Sequence, residues 1–166
     1  MIARRAKIVM CLCLASFAFI CAADNVIDYG ANFDLVRHVL TMDTTFHDPA
    51  IMGRAVTTPA LWHLFYWLII AGEAATALSF AAGAWKMIHA RHASTAVFQH
   101  AKQWVIAGAT ISFLVWFFGF MVVGGEWFAM WQSHIWNGQE AAFRFYMTMM
   151  VALIFLLQKD DELAPA

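Results

Sequence analysis

One acid stands alone in a long apolar run. Glu73 lies thirteen residues into the stretch 60–85, and no other Asp, Glu, Lys or Arg shares that stretch. At 1.5 Å per helical residue this is about 20 Å from its start, close to mid-bilayer. An ionisable side chain at that depth costs roughly 2.5–3.5 kcal/mol on insertion scales, so it is expected to face the interior of a helix bundle. The chemistry open to it is that of a proton, cation or quinone-headgroup site. The alternative is an acid hydrogen-bonded to a neighbouring helix for structure alone. Tyr66, one heptad earlier, falls on nearly the same helix face and is its expected partner. A second set of chemistry-bearing residues is dispersed. His63 with His134, His47 and Glu126 offers three imidazoles and a carboxylate for a metal, without any short ligand spacing. Interfacial histidines making ordinary hydrogen bonds are the competing reading. The third set is concentrated in GGEWFAMWQSHIWNGQEAAFR, residues 124–144, where Trp127, Trp131 and Trp136 alternate with Glu126, His134, Glu140 and Arg144. Such a stretch is too polar for lipid and too aromatic for a solvated loop. It is expected to fold back onto the membrane surface or between helices. Glu140 and Glu126 are the expected partners of Arg144, the former four residues away on one helix face.

Much chemistry is missing. There is no nucleophile elbow, phosphate loop or zincin motif. Haem requires axial ligands inside the bundle, and only His63 is suitably placed. Met121, Met130, Met147, Met149 and Met150 form no soft-metal ligand run. Cys11, Cys13 and Cys21 all lie in the first apolar run; they suit packing rather than a loop disulfide framework. No catalytic set and no cofactor is assigned.

The elements that must position these residues are membrane spans. Hydrophobic residues make up 63% of the chain and charged ones 13%, half the share of an ordinary soluble domain. The net charge of −1 gives no electrostatic case for nucleic acid. Spans are expected at about 8–23, 60–85, 104–123 and 141–158, with Gly124-Gly125 ending the third. A basic start (Arg4, Arg5, Lys7) precedes the first run, and Cys21-Ala22-Ala23 resembles a cleavage site. We read this run as an uncleaved signal-anchor helix. Residues 86–103 carry Lys86, Arg91 and Lys102, three histidines and no acid, as a cytoplasmic surface facing anionic lipid would. Seven of the ten Lys and Arg then fall inside: Arg4, Arg5, Lys7, Lys86, Arg91, Lys102 and Lys159. Both termini are therefore expected in the cytoplasm, with the loops 24–59 and 124–140 in the periplasm. In the first of these, Asn32 is a possible helix N-cap before Phe33, Val36, Val39 and Leu40. Asp48-Pro49 can open a second short helix through Ile51, Met52, Ala55 and Val56. Gly72/Thr76, Ala75/Ser79/Gly83 and Gly108/Ser112 are small-residue pairs spaced by four that let helices approach closely.

Three stretches carry a family resemblance: DYGANFDLVRHVLTMDTTF (28–46), TTPALWHLFYWLIIAGEA (57–74), and FGFM (118–121) followed by GGEWFAMWQSHIWNGQEAAFR. Through them the chain resembles the bacterial predicted small integral membrane proteins of domain-of-unknown-function family 2165. The resemblance implies a four-helix membrane protein of proteobacterial type and implies no activity. The family pattern tends towards proline after TTF, where this chain has His47, which counts against His47 as a ligand.

The expected fold is an all-α, four-span transmembrane bundle with two structured periplasmic loops, in a bacterial inner membrane. The leading functional expectation is a non-enzymatic accessory or assembly subunit. It would bind another membrane protein, or a second copy of itself, through the Trp-rich loop and the small-residue faces, and would contact membrane lipid. The alternatives are an ion, quinone or lipid site around Glu73, and a metal site at His63 and His134.

Overall fold

The computed structural model describes residues 1–160. The last six residues of the charged tail, 161–166, lie outside the described residues. Four helices are long and apolar enough to cross a membrane: α1 (Ile2–Ile27), α3 (Pro59–Ala90), a third span over Thr95–Trp127, and α6 (Gln139–Leu157). Among the described residues there is no strand. Helix α2 (Tyr29–Thr41) follows α1 after a single residue and packs on both α1 and α3. The third span opens with a short helix, α4 (Thr95–Ala101), and continues as α5 (Gln103–Ser112). Helix α3 packs along α1 on one side and α5 on the other, and α6 completes the bundle against α1 and the third span.

The membrane reading rests on which residues face outward. Leu78, Leu114, Val151 and Ile154 are exposed at mid-helix, where only lipid tolerates them as a continuous apolar belt. Trp85 and Trp104 at one end of the bundle, and Trp67, Trp127 and Trp131 at the other, are exposed as interfacial aromatics should be.

Small residues are spent inside. Gly108 lies flat against the Phe80 ring, where an added Cβ would stand 3.0 Å from the nearest ring carbon. Gly72 faces the Val115 side chain, and an added Cβ on Gly83 would stand 2.8 Å from Val105 Cγ2 and 3.2 Å from the Val105 nitrogen. The close-approach faces foreseen in the sequence thus bring α3 and the third span together within one chain, and they are not free for a partner helix. Gly83→Val is expected to force these helices apart and cost about 1–3 kcal/mol, the usual penalty of overpacking. A drop in the thermal midpoint of the detergent-solubilised protein would report it, and an unchanged midpoint would refute the packing account.

Two local differences from the sequence reading matter. Gly124-Gly125 does not end the third span. From Phe113 to Trp127 the chain is wound as a π-helix, with both glycines buried inside it, and the Phe128 N–H still donates to the Val123 carbonyl five residues back. A Cβ on Gly124 would meet Met130, and one on Gly125 would meet the Gln139 side chain, so these positions admit the returning loop and the start of α6. In the first outer segment, Asn32 lies within α2 rather than capping it, and the second short helix is only a 3₁₀ turn over Met52–Arg54.

The basic end of the bundle is tied together by buried charge. Lys7 Nζ and Lys102 Nζ both contact the Asp160 carboxylate, at 3.0 and 2.6 Å, and both donate to the Gln158 carbonyl. Arg4 donates to the carbonyls of Arg91 and Ala93 at the α3–α4 turn. The start of α1, the α3–α4 turn and the residues after α6 therefore share one end. Lys102 was expected on a lipid-facing surface; it and Lys7 are instead almost fully buried.

Candidate functional site

Glu73 is 4% exposed and does face the bundle interior. It is not bonded to Tyr66 directly. Asn25, in the last turn of α1, stands between them. The Asn25 amide donates to Glu73 Oε2 at 2.7 Å, while its side-chain oxygen accepts from the Tyr66 hydroxyl at 3.1 Å and from the Asn32 amide at 2.7 Å. The Tyr66 hydroxyl also lies 3.2 Å from the Asn25 carbonyl. Every hydrogen-bonding atom of the Asn25 side chain type is thus engaged, and α1, α2 and α3 meet at one amide. Among the described residues, the second carboxyl oxygen of Glu73 has no hydrogen-bond partner.

That carboxyl borders a cavity of about 320 Å³. Asp24, Asn25, Asn32 and Tyr66 form its polar side, and Trp116, Phe120 and Phe145 supply aromatic walls. Among the described residues neither lysine, arginine nor histidine lines it. A mostly apolar space with a few convergent polar groups is the ordinary form of a small-molecule site. The π-winding brings Trp116 and Phe120 to it, in keeping with the frequent occurrence of π-turns at functional sites. An apolar groove of about 380 Å³ runs alongside, between α2, α3 and the π-helix.

Above the cavity, the Tyr29 hydroxyl and His63 Nδ1 share a 2.8 Å hydrogen bond, and the His63 ring stacks on Phe33 with centroids 4.3 Å apart. His63 is therefore bound into an aromatic cluster. His134 is exposed on the far loop. Among the described residues no group of three or more His, Cys, Asp or Glu is placed to hold a metal ion.

The Trp-rich loop is fixed by residues the sequence reading passed over. Arg54 donates to the Trp127 carbonyl at 3.1 Å and lies over its ring at 4.7 Å. Ser133 accepts from Thr44, and Gln132 Oε1 accepts from the Phe46 N–H. His38, held by Asp43, stacks on Trp136 with centroids 4.5 Å apart. The Glu140–Arg144 pair is present at 3.9 Å, but both side chains are exposed and belong to α6, so it does not pin the loop. Among the described residues Glu126 makes no ion pair with Arg144.

What sequence reasoning missed at the cavity is chiefly Asn25. It sits past the end of the apolar run, in a segment assigned to the outer loop. The signal available was Val26-Ile27 immediately after it, which lets α1 continue one further turn.

No curated protein and no solved structure matches the chain significantly. The family model for predicted small integral membrane proteins (DUF2165) matches residues 3–159, and the chain belongs to that family.

Proposed function

We propose that this small integral membrane protein binds a hydrogen-bonding group within the membrane, at the cavity of Glu73, Asn25 and Tyr66. One observation carries the reading. A carboxyl group buried in a span, at a cost of roughly 2.5–3.5 kcal/mol, borders a cavity and, among the described residues, takes a hydrogen bond on one oxygen alone. A purely structural acid is better served by a filled site. The basic end, which gathers Arg4, Lys7, Arg91 and Lys102, is assigned to the cytoplasm of a bacterial inner membrane, and the Trp-rich end to the periplasm.

Full-length protein purified in mild detergent tests the reading by organic extraction and mass spectrometry. A retained small molecule is expected in the wild type, at least tenfold depleted in Glu73→Gln at equal folded yield. Equal retention in both, or no retained molecule in the wild type, would sink it.

A second reading is favoured by the loop surface. Phe46 and Trp131 pack edge to face at 5.9 Å with both rings exposed, and Ile135, further along the same loop, is 76% exposed. Thr44, Gln132 and Ser133 hold this patch in place. Rigid, exposed aromatics of this kind suit docking to another integral membrane protein, which would make the chain an accessory subunit. A stoichiometric partner that is retained by the wild type and lost in Trp131→Ala is the expected result. A partner-free species from gently solubilised native membranes would count against it.

A further inference from the structure

We infer that the occupant of the Glu73 cavity is a neutral-headed isoprenoid quinone or quinol, with its chain in the apolar groove beside the cavity. This rests on the reading that the cavity binds a ligand, and adds which ligand. The groove and the cavity adjoin: Leu35, Val36, Ile69 and Phe120 line both. One molecule with a polar head and an apolar chain can therefore fill the two together, while a small polar solute would leave the groove empty.

The head is selected by charge and shape. Among the described residues, two acids, Glu73 and Asp24, and no cation line the cavity. A phosphate or carboxylate head would find no counter-charge there. A phosphoethanolamine head would bring its phosphate with its ammonium. An uncharged ring with carbonyl or hydroxyl oxygens avoids both penalties. Its hydroxyl can donate to the Glu73 oxygen that Asn25 leaves unbonded, its carbonyls can accept from the second N–H of the Asn25 or Asn32 amide, and its flat faces fit between Trp116, Phe120 and Phe145.

The chain site is kept open by missing side chains. Gly119 lines the groove, and a Cβ there would meet only the Leu114 carbonyl, at an ordinary 3.6 Å. The fold does not demand glycine at that position, but a larger side chain would occupy the groove. Leu114, 55% exposed, lines the same groove from the lipid side.

The test uses full-length protein in phosphatidylcholine nanodiscs and three probes: decylubiquinone, the same benzoquinone head without its chain, and dodecyl phosphate. Binding is read by calorimetric titration. Saturable decylubiquinone binding is expected, at least tenfold weaker in Gly119→Leu and in Leu114→Trp. The chainless head should change by less than twofold in these variants, and Glu73→Gln should weaken both quinones. Gly119→Ala should bind like the wild type, and Leu114→Trp, a change on an exposed side chain, serves if Gly119→Leu does not fold. If groove-filling variants bind decylubiquinone normally while Glu73→Gln does not, the chain assignment fails and the site stands. If Glu73→Gln binds both quinones normally, the site itself fails. Tighter binding of dodecyl phosphate than of decylubiquinone would overturn the neutral head.

Discussion

Asp160→Ala is expected to destabilise the protein by about 3–5 kcal/mol, the cost of removing one partner from a buried ion pair. The carboxylate lies between Lys7 of α1 and Lys102 at the α4–α5 junction, with the three side chains nearly inaccessible. Without it, two buried ammonium groups are left sharing the Gln158 carbonyl with no carboxylate beside them. Exposed pairs such as Arg37–Asp34 and Arg144–Glu140 contribute roughly 0–1 kcal/mol by comparison. Denaturant or thermal unfolding of the detergent-solubilised protein reads the difference, and a loss below about 1 kcal/mol would show that the cluster is not buried as described. Lys7→Met/Lys102→Met/Asp160→Leu should recover most of the loss, since replacing a whole buried charge set with apolar groups is often neutral. The pH dependence follows. Burial raises the Asp160 carboxyl, but the hydrogen bonds and charges of Lys102 and Lys7 outweigh it and hold it below its ordinary 3.8. A carboxyl with a depressed folded-state value contributes fully above 3.8 and loses that contribution as pH falls through the lowered value. Stability from this group is therefore flat from neutral pH down to about 5 and falls only below about 4.

Asn25→Leu is the second large effect. The substitution keeps the volume but removes the amide that satisfies Glu73 on one side and Tyr66 on the other. Tyr66 keeps the Asn25 backbone carbonyl as an acceptor, so one buried group, Glu73, is left unmade, and a loss of about 1–3 kcal/mol is expected. Membrane bundles blunt such losses when the unfolded state in lipid finds substitute partners, which places the result towards the lower figure. Asn25→Asp isolates charge from shape: it sets a second carboxyl beside Glu73 and should destabilise at neutral pH more than at pH 4. Wild-type stability in Asn25→Leu would mean that the amide does not bridge α1 and α3.

These two sites also mark what the sequence discloses. Spans were legible because bilayer thickness imposes length and apolarity on the run itself. Glu73 was legible because one acid in such a run has few tolerable environments. Tyr66 was legible as a heptad neighbour, although its link to Glu73 passes through Asn25, on another helix. Asn25 and Asp160 were not legible. Their partners lie 48 and 153 residues away in Glu73 and Lys7, and no periodicity connects residues that meet only when helices pack. The positive-inside rule explains why Lys7 and Lys102 share a side but is silent on whether each faces lipid headgroups or a carboxylate. Gly124-Gly125 misled for a related reason. Glycine weakens a helix locally, yet here the neighbouring Met130 and Gln139 occupy the space that a Cβ would take, and tertiary packing keeps the helix wound. Arg54 and Gln132 were overlooked because loop-fixing hydrogen bonds to backbone carry no motif.

The most direct test of the Glu73 cavity as a quinone site is photolabelling in nanodiscs with an azido-ubiquinone, followed by peptide mapping. The account predicts adducts on Cys21–Val36, Tyr66–Glu73 and Trp116–Phe120, suppressed by excess decylubiquinone. Labelling confined to lipid-facing positions such as Leu78 and Val151, and insensitive to decylubiquinone, would contradict it.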